Sequence, residues 1–137
     1  MKHSIKQLCL MTVKYTAIKK ANPSKSDEFM FYPTITNSGK IDLKMISARI
    51  SSMMSLNRSD IIASIDALLQ IIILESGQGK IIDLGDLGSF YLRIRGGGKK
   101  RKQDVMIDKE TSIRIYFKPG KELKAALKKH EFQRIRS

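Results

Sequence analysis

From Lys80 to Lys124 apolar and polar positions alternate in two runs. The first reaches from Ile81 to Arg95, the second from Ser112 to Phe117. Period-two alternation suits strands, because successive side chains on a pleated strand point to opposite faces. In the first run Phe90 and Leu92 share one face, and Tyr91, Arg93 and Arg95 share the other. In the return run Ile113, Ile115 and Phe117 lie opposite Arg114, Tyr116 and Lys118. Between the runs stand Gly96-Gly97-Gly98 and Lys99-Lys100-Arg101-Lys102. Such a loop can neither bury itself nor stay neutral. The pattern predicts a β-ribbon with a basic, mobile tip. Gly85-Asp86 is a tight turn before it, and Gly88 is expected where a side chain would collide with neighbouring backbone.

Upstream the period changes to that of a helix. Leu43, Ile46, Ile50, Met53 and Met54 make one helical face, with Asp42 as a predicted N-cap. Asn57 caps a second predicted helix from Arg58 to Ser76, and Asp60 lies in its first turn, where negative charge favours the helix dipole. Its apolar stripe holds Ile61, Ile62, Ile65, Leu68, Leu69, Ile72 and Ile73. A stripe this wide implies burial on more than one side. It is read as the core of an intertwined homodimer, the alternative being one central helix within a monomer. Ser76-Gly77-Gln78-Gly79 supplies a glycine terminus. A short terminal helix is expected from Lys121, with Leu123, Ala126 and Leu127 inward, and past His130 the pattern weakens.

The N-terminal third is less regular. Met11 to Ile18 alternates as a strand, Lys19 to Glu28 reads as a loop, and Phe29 to Tyr32 is a second strand ended by Pro33. A hairpin of this kind is marginal alone and must dock, and it is expected to extend the sheet edge. Residues 1–10 read as a tail or an upstream-start extension. Their apolar part is short and interrupted and lacks a cleavage site, so a signal peptide is not expected.

Charge sharpens this picture. The 137 residues carry 26 Lys and Arg against 13 Asp and Glu, a formal net charge of +13. From Arg93 onward there are fifteen Lys and Arg against five Asp and Glu, a net of +10. A clustered excess favours an anionic partner, nucleic acid above all. Membrane-surface binding lacks a clear amphipathic anchor, and the mostly apolar run Ala67–Leu74 is far too short to span a bilayer. The single cysteine, Cys9, allows no internal disulfide. His3 and His130 stand beside no ligand cluster, so no metal is expected. The glycine run lacks the spacing of a nucleotide loop. No nucleophile and base pattern appears, and Asp83 and Asp86 suit turn chemistry. Neither catalysis nor a cofactor is expected.

Gly85-Asp86-Leu87-Gly88-Ser89-Phe90, the basic ribbon, and Phe117-Lys118-Pro119-Gly120-Lys121-Glu122-Leu123-Lys124 together resemble the bacterial histone-like HU/IHF family. The resemblance spans roughly residues 40 to 130. The variant resembles the divergent HU-like proteins with an N-terminal extension found in Bacteroidetes-type bacteria. It implies an α+β fold: a helical pair, a three-stranded sheet with an extended ribbon arm, and a C-terminal helix. A β-hairpin extension would precede it, with residues 1–39 as the extension and 40–137 as the DNA-binding domain. The implied function is weakly sequence-specific binding of double-stranded DNA by a cytoplasmic, nucleoid-associated homodimer, with bending or compaction. The candidate DNA contacts are Arg93, Arg95, Lys99, Lys100, Arg101, Lys102, Arg114, Lys118 and Lys121. No acid interrupts the six from Arg93 to Lys102. The arm departs from the family pattern, whose tip carries an Arg-Asn-Pro wedge: no proline occurs between Gly96 and Ser112. Val105, Met106 and Ile107 could wedge between bases, but are expected to pack the returning strand. A stacking role for Tyr91 and Tyr116 on bases is set against sheet-surface packing. The alternative function is an interaction protein that keeps the fold and binds a protein partner through its N-terminal extension.

Overall fold

The computed structural model describes residues 12–136. The expected tail over residues 1–10 and the expected strand start at Met11 lie outside them. The described residues form an α+β structure with three α-helices and two three-stranded sheets. The chain divides into two compact units, Ile41–Lys124 and a second made of the chain up to Lys40 together with the segment from Ala125 onward.

The second unit is a sheet of order β2-β1-β6, with β1 at Thr12–Asn22, β2 at Lys25–Ile35 and β6 at Glu131–Arg134. β1 and β2 pair antiparallel around Pro23-Ser24, and Asn22 accepts the Ser24 amide at 3.0 Å to close the turn. The expected loop from Lys19 to Glu28 is therefore mostly strand. Its polar run carried no apolar alternation, yet the backbone pairing does not need one. Pro33 does not end β2. It sits within an edge strand, where a missing N–H leaves no ladder bond unmade. The hairpin does not extend the ribbon sheet as expected. It takes β6 as a third strand, parallel to β1, with Thr12 opposite Glu131 and Val13 opposite Phe132. The weakening pattern past His130 thus hides a four-residue strand whose partner lies at the other end of the chain.

In the unit Ile41–Lys124, α1 (Leu43–Met54) and α2 (Arg58–Gly77) pack against each other. Asp42 caps α1 as predicted, accepting the Met45 amide at 2.8 Å. Asn57 occupies the cap position of α2, but its side chain makes no cap hydrogen bond. Asp60 in the first turn is left to complement the dipole there. On α2 the inward stripe is Ile61, Ile65, Leu68, Ile72 and Ser76, while Leu69, Ile71, Ile73 and Leu74 are exposed. Ser47 on α1 is fully buried and bonds back to the Lys44 carbonyl at 2.9 Å. A small, internally satisfied hydroxyl permits close packing there without an unpaired polar atom.

The sheet of this unit has order β3-β4-β5, with β3 at Ile82–Asp83, β4 at Gly88–Arg95 and β5 at Ser112–Pro119. Asp83 accepts the Gly85 amide at 2.9 Å, so its carboxylate builds the turn. A one-turn 3-10 helix, Gly85–Leu87, feeds β4. α3 (Lys121–Leu127) follows β5 directly.

Two glycines fix the ribbon's base. Gly88 has φ +138°, and a Cβ there would run into the Lys118 carbonyl oxygen and the Phe117 ring. A Cβ on Gly120 would collide with the Asp86 carbonyl. Gly88→Ala and Gly120→Ala should each lower stability by about 3 kcal/mol or more, seen as a reduced denaturant midpoint. Gly77, at the end of α2, has no neighbour among the described residues within reach of an added Cβ. Gly77→Ala should be neutral or raise stability by up to about 1 kcal/mol.

Candidate nucleic-acid interface

The register of β4 against β5 sorts the ribbon into two faces. Phe90 pairs with Phe117, Leu92 with Ile115 and Ile94 with Ile113. On the other face Ser89 pairs with Lys118, Tyr91 with Tyr116, Arg93 with Arg114 and Arg95 with Ser112. The apolar face begins in the tilted Phe90–Phe117 ring pair, with centroids 5.1 Å apart. The polar face has its own aromatic centre. Tyr91 and Tyr116 stack with centroids 5.9 Å apart and planes 19° from parallel. The Arg93 guanidinium lies 5.3 Å from one ring centroid and 5.4 Å from the other. Packing on the sheet surface, the expected role, describes these tyrosines. Their engagement of Arg93 was not legible, because it depends on which rotamer the arginine takes.

All nine predicted contact residues lie in the unit Ile41–Lys124, and all are exposed. Arg93, Arg95, Arg114 and Lys118 share the polar ribbon face. Lys99, Lys100, Arg101 and Lys102 lie in the loop between the strands, and Lys121 opens α3. The loop is more ordered than a run of glycines and cations suggests. Arg101 precedes a one-turn 3-10 helix, Lys102–Asp104, and its guanidinium binds Asp104 through Nε at 2.9 Å and Nη2 at 3.3 Å. Arg101 is thus locally neutralised, whereas the sequence run counted it as a free cation.

The far side of the loop is closed by Asp108. Its carboxylate accepts from the Thr111 hydroxyl at 2.9 Å and the Glu110 amide at 3.0 Å. The Thr111 hydrogen bond first, then the Glu110 amide, with Lys99 nearby, holds the Asp108 carboxyl below its ordinary range. Val105, Met106 and Ile107 precede the returning strand, which starts at Ser112, and line a shallow hollow with Ile94 and Thr111. They are 68%, 69% and 64% exposed, three adjacent apolar side chains beside the loop cations.

Much of the apolar surface of this unit is exposed. Among the described residues only Ile61 and Ile82 are buried large hydrophobics. Ile94, Ile113 and Ile115 on the ribbon's apolar face, and Leu69, Ile71, Ile73 and Leu74 on α2, are exposed. Among the described residues no group of three His, Cys, Asp or Glu side chains could hold a metal ion. No helix among them is long and apolar enough to cross a membrane.

The family model described as "HU domain fused to wHTH, Ig, or Glycine-rich motif" matches residues 11–134. Among solved structures the chain is similar to one from Bacteroides vulgatus, titled "Putative bacterial DNA binding protein", at 18% identity and a TM-score of 0.67. That alignment covers 90% of this chain but 48% of the other, so this chain spans about half its length. It is also similar to the protein of an Anabaena HU–DNA cocrystal structure, at 20% identity and a TM-score of 0.51. There 64% of this chain and 97% of the other are covered. At these identities the likeness is one of fold. No curated protein matches the chain.

Two substitutions test the loop geometry. Thr111→Ala removes the hydroxyl that does most to hold the Asp108 carboxyl low and should return its titration upward toward an ordinary carboxylate, followed by carboxyl NMR shifts against pH. In the native chain the lowered value means that any stability drawn from this group is present above the unfolded carboxylate range. It is lost as pH falls through the folded value. Asp104→Asn should release Arg101 and raise the salt needed to elute the protein from a polyanion column.

Proposed function

The chain belongs to the family of HU domains fused to wHTH, Ig or glycine-rich motifs, and on that premise we propose that it is a non-enzymatic DNA-binding protein. It binds double-stranded DNA with weak sequence specificity, acts as a histone-like homodimer in the bacterial nucleoid, and clasps the duplex with its basic β-ribbons. The observation that carries this reading is the sorting of the ribbon into an apolar face and a face bearing Arg93, Arg95, Arg114 and Lys118. From Arg93 to Lys118 there are nine Lys and Arg against three Asp and Glu. Arginine and lysine neutralise phosphates and release their counterions, a contribution that reads no sequence. Lys99, Lys100, Lys102 and Lys121 extend the same field, and Arg101 joins it when it exchanges Asp104 for phosphate.

The homodimer is supported by the uncovered apolar surface. Soluble monomers rarely expose contiguous apolar patches beyond a few hundred Å². Here the outer stripe of α2 and the apolar face of the ribbon are both exposed among the described residues. A second copy would bury both, as the width of the α2 stripe requires. Bending is supported by Val105, Met106 and Ile107. Apolar side chains at the end of a basic arm are suited to unstacking base steps, without the proline found in the wider HU/IHF pattern.

A second reading is favoured by the sheet of the other unit. The register places Phe29, Phe31, Ile35 and Phe132 on one face of β2-β1-β6, and all four are exposed. On this reading the HU fold is retained and the added sheet binds a protein partner.

Binding to a short random duplex at several salt concentrations tests the first reading. Engagement of roughly six to ten phosphates gives a log–log slope of about −5 to −9. Affinity independent of salt overturns phosphate-dominated binding. Reversing the charge of Lys99, Lys100 and Lys102 should weaken binding to all sequences alike. A Phe31→Glu variant that keeps duplex affinity but loses a captured protein would favour the second reading.

A further inference from the structure

The Tyr91–Tyr116–Arg93 cluster carries an inference that rests on the DNA-binding reading and deepens it. Arg93 stands directly across the ladder from Arg114, and Arg95 lies two residues along on the same face. Like charges directly opposite one another on a sheet repel. With nothing to hold it, the Arg93 side chain would swing into solvent and lose rotamer freedom on meeting DNA. The stacked tyrosines give it a fixed seat. Both centroids lie within about 6 Å of the guanidinium, the range in which a ring face attracts a cation. The interaction draws Arg93 out of the Arg114 row and onto the tyrosine row.

The tyrosines are not core residues recruited by accident. The core face of the ribbon is the other one, where Phe90 and Phe117 meet. Among the described residues neither the Tyr91 nor the Tyr116 hydroxyl makes a hydrogen bond to a protein group, so no internal polar partner accounts for choosing Tyr. Two rings on the cationic face, stacked across the strands and capped by one guanidinium, form a unit with a directional preference.

We propose that Tyr91 and Tyr116 are positioning residues for DNA binding: they pre-set the Arg93 guanidinium over the sheet, so that it meets the duplex already ordered. Part of the entropy otherwise lost on binding is then spent during folding.

A double-mutant cycle tests this in the full chain, with a random duplex as the probe. Replacing both tyrosines by leucine keeps apolar bulk but removes the ring faces, and should weaken binding about 3- to 10-fold. Replacing both by phenylalanine should restore affinity to within about twofold. In an Arg93→Ala background the leucine pair should cost nothing further. An equal loss in both backgrounds would mean that the tyrosines act independently of Arg93, and overturns the proposal. So would a phenylalanine pair as weak as the leucine pair, since the hydroxyls would then be the contacts. Unchanged affinity in Arg93→Ala, alongside a strong effect of reversing Lys99, Lys100 and Lys102, overturns the inference and leaves DNA binding standing. No salt-sensitive binding by the native chain overturns the function itself, and the inference with it. Melting curves of each variant separate loss of fold from loss of contact.

Discussion

In the ribbon the backbone at Gly88 lies so close to the Lys118 carbonyl and the Phe117 ring that no side chain fits between them. Gly120 lies as tightly against the turn at Asp86. These two approaches pin the start of β4 to the end of β5 and hold the pairing of Phe90 with Phe117. A slip of one residue would turn every side chain of a strand to the opposite face. Arg93 and Arg95 would then stand on the apolar side, and Leu92 and Ile94 among the cations. The charge pattern of the whole interface is therefore a consequence of register, and the register depends on two positions that tolerate no Cβ.

The ribbon and helices were legible for physical reasons that differ. Strand alternation survives in the sequence because one face must be apolar and the other basic, and Phe90, Leu92, Ile113 and Ile115 mark it without ambiguity. The cap at Asp42 was readable because a carboxylate ahead of an apolar helical face has one obvious local task. Gly88 was readable from its place in the strand, and the family anchors at Gly85–Phe90 and Phe117–Lys124 agree with the family match over residues 11–134. The failures are those of pairing at long range. β6 is short and mostly polar, so nothing in Glu131–Arg134 announces a strand until β1 is beside it. The stretch Lys19–Glu28 looked like loop for the same reason. Its backbone pairs well, while its side chains carry no burial signal.

At the arm, composition overstated the free charge and understated the order. Counting Lys99 to Lys102 as four free cations ignores Asp104, which comes three residues after Arg101 and meets it once the chain tightens into a 3-10 turn. Ion pairs this exposed contribute little stability, of the order of 1 kcal/mol or less. The Arg101–Asp104 pair is therefore better seen as a reversible hold on the loop. On the DNA-binding reading, a phosphate would displace Asp104 at modest cost. Asp108 acts differently. Its bonds to Thr111 and Glu110 close a local turn just ahead of β5, so the return strand begins from a fixed point whatever the tip does.

The two ends of the polar face thus differ in how much order they bring to a ligand. At the base, Arg93 is seated over the Tyr91 and Tyr116 rings on a ladder whose register is locked, and its charge is placed before any partner arrives. At the tip, Lys99, Lys100 and Lys102 form no ion pair among the described residues, and the apolar triad is exposed. On the DNA-binding reading, a polyanion meeting this surface would gain fixed contacts near the sheet at small entropic cost, and adaptable contacts further out. That gradient suits a ligand whose backbone is regular but whose local shape varies. On the DNA-binding reading, cations fixed on the sheet would meet the regular phosphate backbone, and the tip would accommodate variation in its shape. A uniformly rigid arm would select one DNA shape, and a uniformly mobile one would lose rotamer entropy at every contact. The division at Gly96-Gly97-Gly98, between paired strand and loop, is what allows both behaviours in a single ribbon.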